Sequence, residues 1–305
     1  MIGYIARMRS YLAEMFPLSV HLPTAALTYL ATAAFARHLQ DVDATVWTAW
    51  LGVGVWSYLA VPLMLRLMDE LKDVEIDRVL FADRPLPSGR VRESDIKLSL
   101  ALVITFFIGA NLGDPLTLIV TCVLTAYALL MYKRFFASEA HRNSLPLTLA
   151  THNPIVPMSL SYGFFLFAAE QHLPLASLRW QGIALFVLML WMPFLGWELS
   201  RKIRAPEHED AYVTYSQLLG RRGAVAMVCL VQLIGIAGGA GVCVVANASW
   251  QLLVLPGIAW LANVFAGVRY ITNPTVAYAR LRPFAETFII ATVLSALLVF
   301  GARLV

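Results

Sequence analysis

The decisive stretch of this chain reads Asp69-Glu70-Leu71-Lys72-Asp73-Val74-Glu75-Ile76-Asp77, and it directly follows a long apolar run. Asp69, Asp73 and Asp77 recur at intervals of four residues, so a helix presents all three on one face. Neighbouring carboxylates on such a face lie about 6 Å apart. Each pair then repels by roughly 3 kcal/mol at an effective dielectric constant of about 20. The repulsion indicates that a cation belongs here, and a divalent metal that also binds a diphosphate meets that need.

The composition around this stretch is that of a membrane protein. Hydrophobic residues make up 59% of the 305 residues, and the mean hydropathy is +0.70. Apolar segments recur along the whole chain, each near the roughly 20 residues that a helix needs to cross the hydrocarbon core. We therefore predict an all-α, polytopic membrane protein that forms a single domain over residues 1–305.

Nine transmembrane helices are predicted from the apolar segments. They cover about 20–38, 46–66, 96–112, 115–132, 146–168, 181–197, 224–246, 250–269 and 284–303. The third and fourth are separated only by Leu112-Gly113-Asp114-Pro115, which is typical of a turn. The stretches 66–97 and 198–223 contain amphipathic helical pieces, so the number of spans could differ by one.

The basic residues fall almost entirely on one predicted face of the membrane. If the N-terminus is cytoplasmic, that face holds all of the 23 Lys and Arg except Arg37, Arg179 and Arg303. The positive-inside rule predicts such a bias. We therefore expect a cytoplasmic N-terminus, an inner or plasma membrane, and cytoplasmic loops at about 67–95 and 198–223 that cap an active site. The orientation of the protein in the membrane also explains its excess of basic residues, so we expect no nucleic-acid partner.

Two interpretations of the acidic cluster are open. In the first, the acids form ion pairs with neighbours such as Arg66 and Lys72 where a helix end meets water. In the second, they bind Mg²⁺, which prefers hard oxygen ligands and leaves positions for substrate phosphates. We favour the second interpretation because the carboxylates outnumber the plausible basic partners on one helix face.

A second segment, Asp83-Arg84-Pro85-Leu86-Pro87-Ser88-Gly89-Arg90, follows the acids. Together with the predicted spans, the two segments resemble the UbiA superfamily of intramembrane prenyltransferases, whose first motif reads NDxxDxxxD and is followed by RPLPSG. Asp69 occupies the Asn place, Glu70 the next acidic place, and Asp73 and Asp77 the last two. The resemblance covers the whole chain. It implies that these four residues bind Mg²⁺ against a diphosphate, with Asp73 and Asp77 as catalytic residues.

The cluster Tyr132-Lys133-Arg134 closes the fourth predicted span. Positive charge at this place is also expected of ordinary anchoring at the cytoplasmic surface. The resemblance implies instead that Lys133 and Arg134 face the diphosphate, because the family has a Lys-Arg pair here. Arginine forks match phosphate oxygens and lysine supplies a point charge. We therefore expect Arg84, Lys133 and Arg134 to bind the diphosphate, with Lys133 also catalytic.

The end of the sixth predicted span departs from the family pattern. Members of the superfamily usually carry a DxxxD motif there, whereas this chain has Glu198 at the first acidic place and Lys202 at the second. A charged lysine cannot be a ligand of Mg²⁺. We therefore expect Glu198 to bind the metal, and Arg201 and Lys202 to bind the diphosphate.

The resemblance implies a Mg²⁺-dependent enzyme that ionises a polyprenyl diphosphate and transfers the prenyl group to an aromatic or other lipophilic acceptor. The first alternative is a terpene cyclase, in which the allylic cation is captured by another part of the same prenyl chain. The altered second motif favours this alternative, because it changes the residues at the floor of the cavity. The second alternative is a transporter, because acidic clusters at membrane ends serve ion coupling. A transporter predicts inverted repeats or helices broken near the bilayer midplane, whereas these acids follow the end of a span.

Overall fold

The computed structural model describes residues 3–209 and 213–305, and the regular structure of those residues is helical throughout, without a strand. The α-helices are α1 (Tyr4–Met15), α2 (Leu18–Gln40), α3 (Ala49–Lys72), α4 (Val74–Leu80), α5 (Glu93–Gly109), α6 (Pro115–Tyr132), α7 (Ser138–Asn143), α8 (Leu145–His152), α9 (Ile155–Glu170), α10 (Trp180–Ser200), α11 (Tyr215–Val245), α12 (Val254–Thr272) and α13 (Arg282–Phe300). Short 3₁₀ helices cover Arg134–Phe136, Leu175–Ser177, Pro206–His208, Trp250–Leu253 and Gly301–Leu304. The all-α prediction is confirmed.

Seven helices in the described part of the chain are long and apolar enough to cross a membrane, so the protein is an integral membrane protein. They are Leu18–Gln40, Ala49–Lys72, Pro115–Tyr132, Trp180–Ser200, Tyr215–Val245, Trp250–Thr272 and Arg282–Leu304. Each of them overlaps one of the nine predicted spans.

The other two predicted spans correspond to shorter helices. The span at 96–112 falls on α5, which has 17 residues. The span at 146–168 is divided between α8 and α9 at Asn153 and Pro154. A proline disfavours helical backbone in the residue before it, which accounts for the break. The count of nine spans stays a prediction.

The chain divides into two compact units built from interleaved segments. The first unit comprises Met1–Tyr29, Trp47–Ser144 and Phe165–His172, and the second comprises Leu30–Val46, Leu145–Phe164 and Leu173–Val305. The first unit therefore holds the acidic stretch and the Lys133-Arg134 pair, and the second holds the altered motif at the end of α10. The single domain predicted over residues 1–305 stays a prediction.

In the first unit, α1 is fastened to α5 by polar contacts. Arg7 donates to both carboxylate oxygens of Asp95, each at 2.7 Å. The hydroxyl groups of Tyr4, one turn before Arg7, and of Ser99, one turn after Asp95, lie 2.8 Å apart. Tyr11, further along α1, is fully buried. The N-terminal helix is therefore part of the packed unit.

In the second unit, small residues bring α10 and α11 close together. A Cβ atom on Gly238 would lie 3.1 Å from the carbonyl oxygen of Leu185, and one on Gly241 would lie 2.8 Å from the Leu185 side chain. Interfaces between membrane helices commonly use small residues in this way, because they let the backbones approach. The buried amide of Asn263 on α12 donates to Gln232 on α11 at 2.6 Å, which joins the next helix to the pair.

Candidate functional site

The acidic stretch lies where α3 ends and α4 begins, with Asp73 between the two helices. Its backbone departs from helical geometry at φ −106° and ψ 7°. Even so, the Asp73 amide donates to the Asp69 carbonyl at 3.0 Å, and the Asp77 amide donates to the Asp73 carbonyl at 2.9 Å. Helical hydrogen bonding thus continues through the break, as the four-residue spacing of the three aspartates requires.

Three acids of the stretch pair with a basic residue three or four positions away. The pairs are Arg66–Glu70, Lys72–Asp69 at 2.6 Å and Arg78–Glu75 at 2.8 Å. The ion-pair interpretation therefore describes this part of the cluster. The expectation that acids outnumber bases concerned one helix face, where Lys72 pairs with Asp69, while Asp73 and Asp77 draw their basic partners from other segments.

Asp73 and Asp77 receive their basic partners from outside their own helices. Arg134 Nη2 donates to Asp73 Oδ1 at 2.8 Å, and Arg84 Nη1 donates to Asp77 Oδ2 at 2.8 Å. The Asp77 side chain is 9% exposed and that of Asp73 is 35% exposed. The structure thus brings together the two predicted catalytic acids and two of the predicted diphosphate-binding residues.

Arg84 is held by the turn that follows α4. The Ser88 amide and hydroxyl both donate to the Arg84 carbonyl, at 3.0 and 2.7 Å. Gly89 has φ +75°, a conformation that other residues adopt only at a cost. The guanidinium of Arg84 stacks on Phe81, 3.8 Å from the ring centroid. The turn and the ring together orient the arginine toward Asp77.

Arg134 stands in an unusual backbone segment. Arg134, Phe135 and Phe136 have φ of 48°, 51° and 58°, the left-handed region that non-glycine residues rarely occupy. Each such residue costs roughly 1–2 kcal/mol. Phe135 makes ring contacts with Tyr127 and His141, which hold the turn in place. Strain of this kind is commonly found at functional sites.

Lys133 ends α6 immediately before this turn. Its side chain is exposed, and its ammonium lies 5.2 Å from the centroid of the Tyr132 ring. An exposed ammonium is accessible to an anion. Its predicted catalytic and diphosphate-binding roles stay predictions.

The charge balance at Asp73 depends on its neighbours. Burial raises the pKa of the Asp73 carboxyl, while Lys72 and Arg134 oppose that rise and Asp69 adds to it. The net effect is a pKa above the ordinary value of an aspartate, because burial outweighs the two positive charges. Such a carboxylate suits a site that exchanges one cationic partner for another.

Glu70 differs from the other acids because it faces the interior of its unit. Its side chain is 1% exposed, and one carboxylate oxygen pairs with Arg66. Within the described residues, Glu70 Oε2, Arg66 Nε and the Tyr11 hydroxyl lack hydrogen-bond partners. Tyr11 is close enough to interact electrostatically with both charged groups. Sequence reasoning missed Tyr11, whose only signal is its place on the apolar side of α1. The predicted metal-binding role of Glu70 stays a prediction.

The altered motif at the end of α10 forms its own cluster in the second unit. Arg201 donates from Nε and Nη2 to the two oxygens of Glu198, at 2.5 and 2.9 Å. Lys202 Nζ lies 3.3 Å from Glu198 Oε1. The three predicted site residues of this motif therefore contact one another, and both cations share a single carboxylate.

The carboxylates of the acidic stretch are the candidate ligands for a metal. In residues 3–209 and 213–305, no three His, Cys, Asp or Glu side chains converge as a ready-made metal site. Mg²⁺ is usually held by one or two carboxylates, with substrate phosphates and water in its other positions. Asp73 and Asp77 suit that arrangement, because both are acidic oxygen donors already engaged with a cation.

Two solved structures are similar to this chain over nearly their whole length. One is described as giving insights into the biosynthesis of digeranylgeranylglyceryl phosphate synthase in membranes; it aligns with a TM-score of 0.62 and 14% identity, covering 96% of this chain and 99% of that chain. The other is the apo structure of a UbiA homolog from Aeropyrum pernix K1, with a TM-score of 0.64 and 15% identity, covering 91% and 96%. No family model and no curated protein matches the sequence. The resemblance is thus confirmed at the level of the fold.

Proposed function

We propose that this chain, which has the UbiA-type fold, is a Mg²⁺-dependent intramembrane prenyltransferase acting on a polyprenyl diphosphate. The observation that carries the proposal is the pairing of Asp73 with Arg134 and of Asp77 with Arg84, each at 2.8 Å. Carboxylates that suit a metal and guanidinium groups that suit a diphosphate are in direct contact there. The fold similarity favours an enzyme over the transporter alternative.

The two ion pairs can exchange partners when a diphosphate arrives. Arg84 and Arg134 then donate to phosphate oxygens, which their planar forks match. Asp73 and Asp77, with Asp69 beside them, would hold the metal. When bound, Mg²⁺ supplies positive charge against the diphosphate oxygens. Exposed Lys133 adds a further positive charge from the end of α6. The roles predicted for Glu70, Glu198, Arg201 and Lys202 remain proposals of the same kind.

Ionisation of the substrate breaks the bond between the prenyl carbon and the diphosphate oxygen. The electron pair leaves with the diphosphate, and an allylic cation remains on the prenyl chain. Arg84 and Arg134 are held in advance by the Gly89 turn and the left-handed segment, so they stabilise the growing negative charge with little reorganisation. Apolar helices around the cation exclude water that would otherwise capture it. An electron pair of an aromatic or other lipophilic acceptor then forms the new bond to the prenyl carbon, and the acceptor gives up a proton to the released diphosphate or to water.

Pyrophosphate release in nanodiscs tests this proposal. Geranyl, farnesyl and geranylgeranyl diphosphate are supplied with and without Mg²⁺, first alone and then with a lipid or aromatic extract. We expect the release of pyrophosphate to require Mg²⁺ and to become faster when an acceptor is added. In Asp73→Asn the rate of release should fall by about 100-fold or more. Glu75→Gln is the matched control, because this neighbouring acid is 79% exposed and, among the described residues, its ion pair is with Arg78 of its own helix.

The products separate the proposal from its alternatives. Release without acceptor, together with a cyclic hydrocarbon or alcohol in the organic phase, would identify a terpene cyclase. Full activity in Asp73→Asn would overturn the assignment of the site. If no pyrophosphate is released under any of these conditions, the transporter hypothesis is favoured.

A further inference from the structure

The first unit contains an apolar groove that the proposed reaction does not use. The groove lies between α1, α3 and α5, and its volume is about 250 Å³. Its lining carries no charged side chain, and its polar groups are the hydroxyls of Tyr4 and Ser99 and the indole of Trp56. None of the lining residues belongs to the proposed metal or diphosphate site. The groove therefore suits a ligand that is mostly hydrocarbon.

The groove is long and narrow. Trp56 and Leu67 of α3 both line it, and the helix between them is about 16 Å long at a rise of 1.5 Å per residue. That length is about half of the hydrocarbon core of a bilayer. Leu67 lies near the charged end of the membrane-crossing helix Ala49–Lys72, whereas Trp56 lies deep within that helix. The groove thus runs from the membrane surface toward the bilayer centre, and its shape suits one extended chain.

One side of the groove is continuous with the apolar outer surface of α5, which packs along α3. Leu102 and Phe106 line the groove and are 40% and 62% exposed, and Leu98, one turn earlier, is 48% exposed. The inner wall is closed by buried side chains such as Leu67 and Val103. Because α3 crosses the membrane, the exposed strip of α5 faces lipid at the same depth. A lipid chain can enter the groove sideways without passing a polar surface.

The polar end of the groove has a hydrogen-bond donor to spare. The hydroxyl groups of Tyr4 and Ser99 lie 2.8 Å apart. Each hydroxyl carries one hydrogen, and their contact uses only one of the two. Among the residues that the structure describes, neither hydroxyl forms a further hydrogen bond. The second hydrogen is therefore available to an acceptor on a ligand.

The order of groups along α5 matches the order of groups in a membrane lipid. Asp95, paired with Arg7, is charged; Ser99 follows one turn deeper, and Val103 follows one turn deeper again. A phospholipid likewise has a charged headgroup, then ester carbonyls, then hydrocarbon chains. We propose that this groove binds the acyl chain of a membrane lipid, whose ester carbonyl oxygen accepts the second hydrogen of the Tyr4–Ser99 pair.

Quenching of Trp56 fluorescence tests the proposal without any need for prenyl transfer. Phosphatidylcholine with bromine atoms midway along one acyl chain is titrated into the purified protein in detergent, because bromine quenches an indole that it contacts. The part of the quenching that is lost in Trp56→Phe reports the groove. We expect this part to saturate as a single site. Val103→Phe should weaken it at least tenfold, which corresponds to displacing about two methylene groups.

Matched variants separate the groove from general contact with lipid. Val103→Ala changes the same position but leaves the groove open, so it should bind the brominated lipid nearly as tightly as the unchanged protein. Leu98→Phe adds a ring to the exposed strip of α5 outside the groove and should also leave binding unchanged. Quenching of Trp56 that is equally strong in Val103→Phe would overturn the proposal.

The ester carbonyl is tested by competition, which needs no change in the packing of the groove. A diether phosphatidylcholine should compete with the brominated lipid about fivefold less well than the diester of the same chain length, because one neutral hydrogen bond is lost. The two should compete equally in Tyr4→Phe combined with Ser99→Ala. Equal competition in the unchanged protein would overturn the proposal. Displacement by farnesyl diphosphate at similar concentration would also overturn it, because the groove would then belong to the prenyl substrate.

Discussion

Arg134 reaches Asp73 across 61 residues of sequence, with Nη2 lying 2.8 Å from Oδ1. The contact joins the left-handed turn after α6 to the break between α3 and α4. It unites a predicted phosphate ligand and a predicted metal ligand in one ion pair. Because Arg134 is 17% exposed and Asp73 35% exposed, the pair is shielded yet reachable. Its consequences for activity and stability can be measured separately.

Arg134→Gln should reduce kcat/KM for pyrophosphate release by about 100-fold, because a preorganised donor to the leaving group is lost. The change also removes one of the two positive charges that oppose the rise in the pKa of Asp73, and Lys72 remains. Arg134→Lys should recover only part of the rate, since lysine lacks the planar fork. The measurement is steady-state release of pyrophosphate in nanodiscs. Unchanged kinetics in Arg134→Gln would show that the pair is only structural.

The strained turn can be relieved at one position. Phe136 has φ +58°, and its side chain is 80% exposed, so the ring contributes little packing. Phe136→Gly should therefore be about 1 kcal/mol more stable than Phe136→Ala, because only glycine adopts this backbone without a Cβ penalty. Unfolding by titration with a denaturing detergent gives the comparison. Equal stability of the two variants would mean that the turn is not left-handed in the folded protein.

The docking of α1 should depend on acid pH. Arg7 lowers the pKa of Asp95 to about 2 through a direct hydrogen bond, although burial opposes the shift. An unperturbed aspartate titrates near a pKa of about 3.9. The pair therefore stabilises the fold above that value, and its contribution is lost as the pH falls toward 2. Protection of the amides along Tyr4–Met15, taken relative to their intrinsic exchange rates at each pH, should fall over that range. In Asp95→Asn, protection should already be low at neutral pH and should not change further over it.

Sequence patterns predicted the helices and the local part of the site. Apolar segments placed the seven long helices, and the four-residue spacing of Asp69, Asp73 and Asp77 survives the break at Asp73. Pro154 carried a signal for the break between α8 and α9 that a hydropathy window averages away. Short-range patterns of this kind are visible because they depend on neighbours along the chain.

The ion pair between Arg134 and Asp73 could not be predicted from such short-range patterns. Nothing in the spacing of Arg134 links it to Asp73, and only the resemblance to a family assigned it to the diphosphate. The left-handed turn at Arg134–Phe136 contains no glycine or asparagine, the residues from which such a turn is usually predicted. It is held instead by the packing of Phe135 against Tyr127 and His141, which are distant contacts that the local sequence does not show. Burial of Tyr11 beside Glu70 likewise depends on how α1 packs.

The altered second motif gives the last prediction. Lys202 Nζ lies 3.3 Å from Glu198 Oε1, so it stands beside an acid at the place where the family pattern has a second acid. Lys202→Asp should lower the Mg²⁺ concentration for half-maximal pyrophosphate release by about tenfold, which corresponds to about 1.4 kcal/mol. Arg201→Gln is the comparison, because it removes a charge from the same carboxylate without adding an oxygen ligand. If Lys202→Asp instead raises the KM for prenyl diphosphate and leaves the Mg²⁺ dependence unchanged, Lys202 is a phosphate ligand and the metal is held elsewhere.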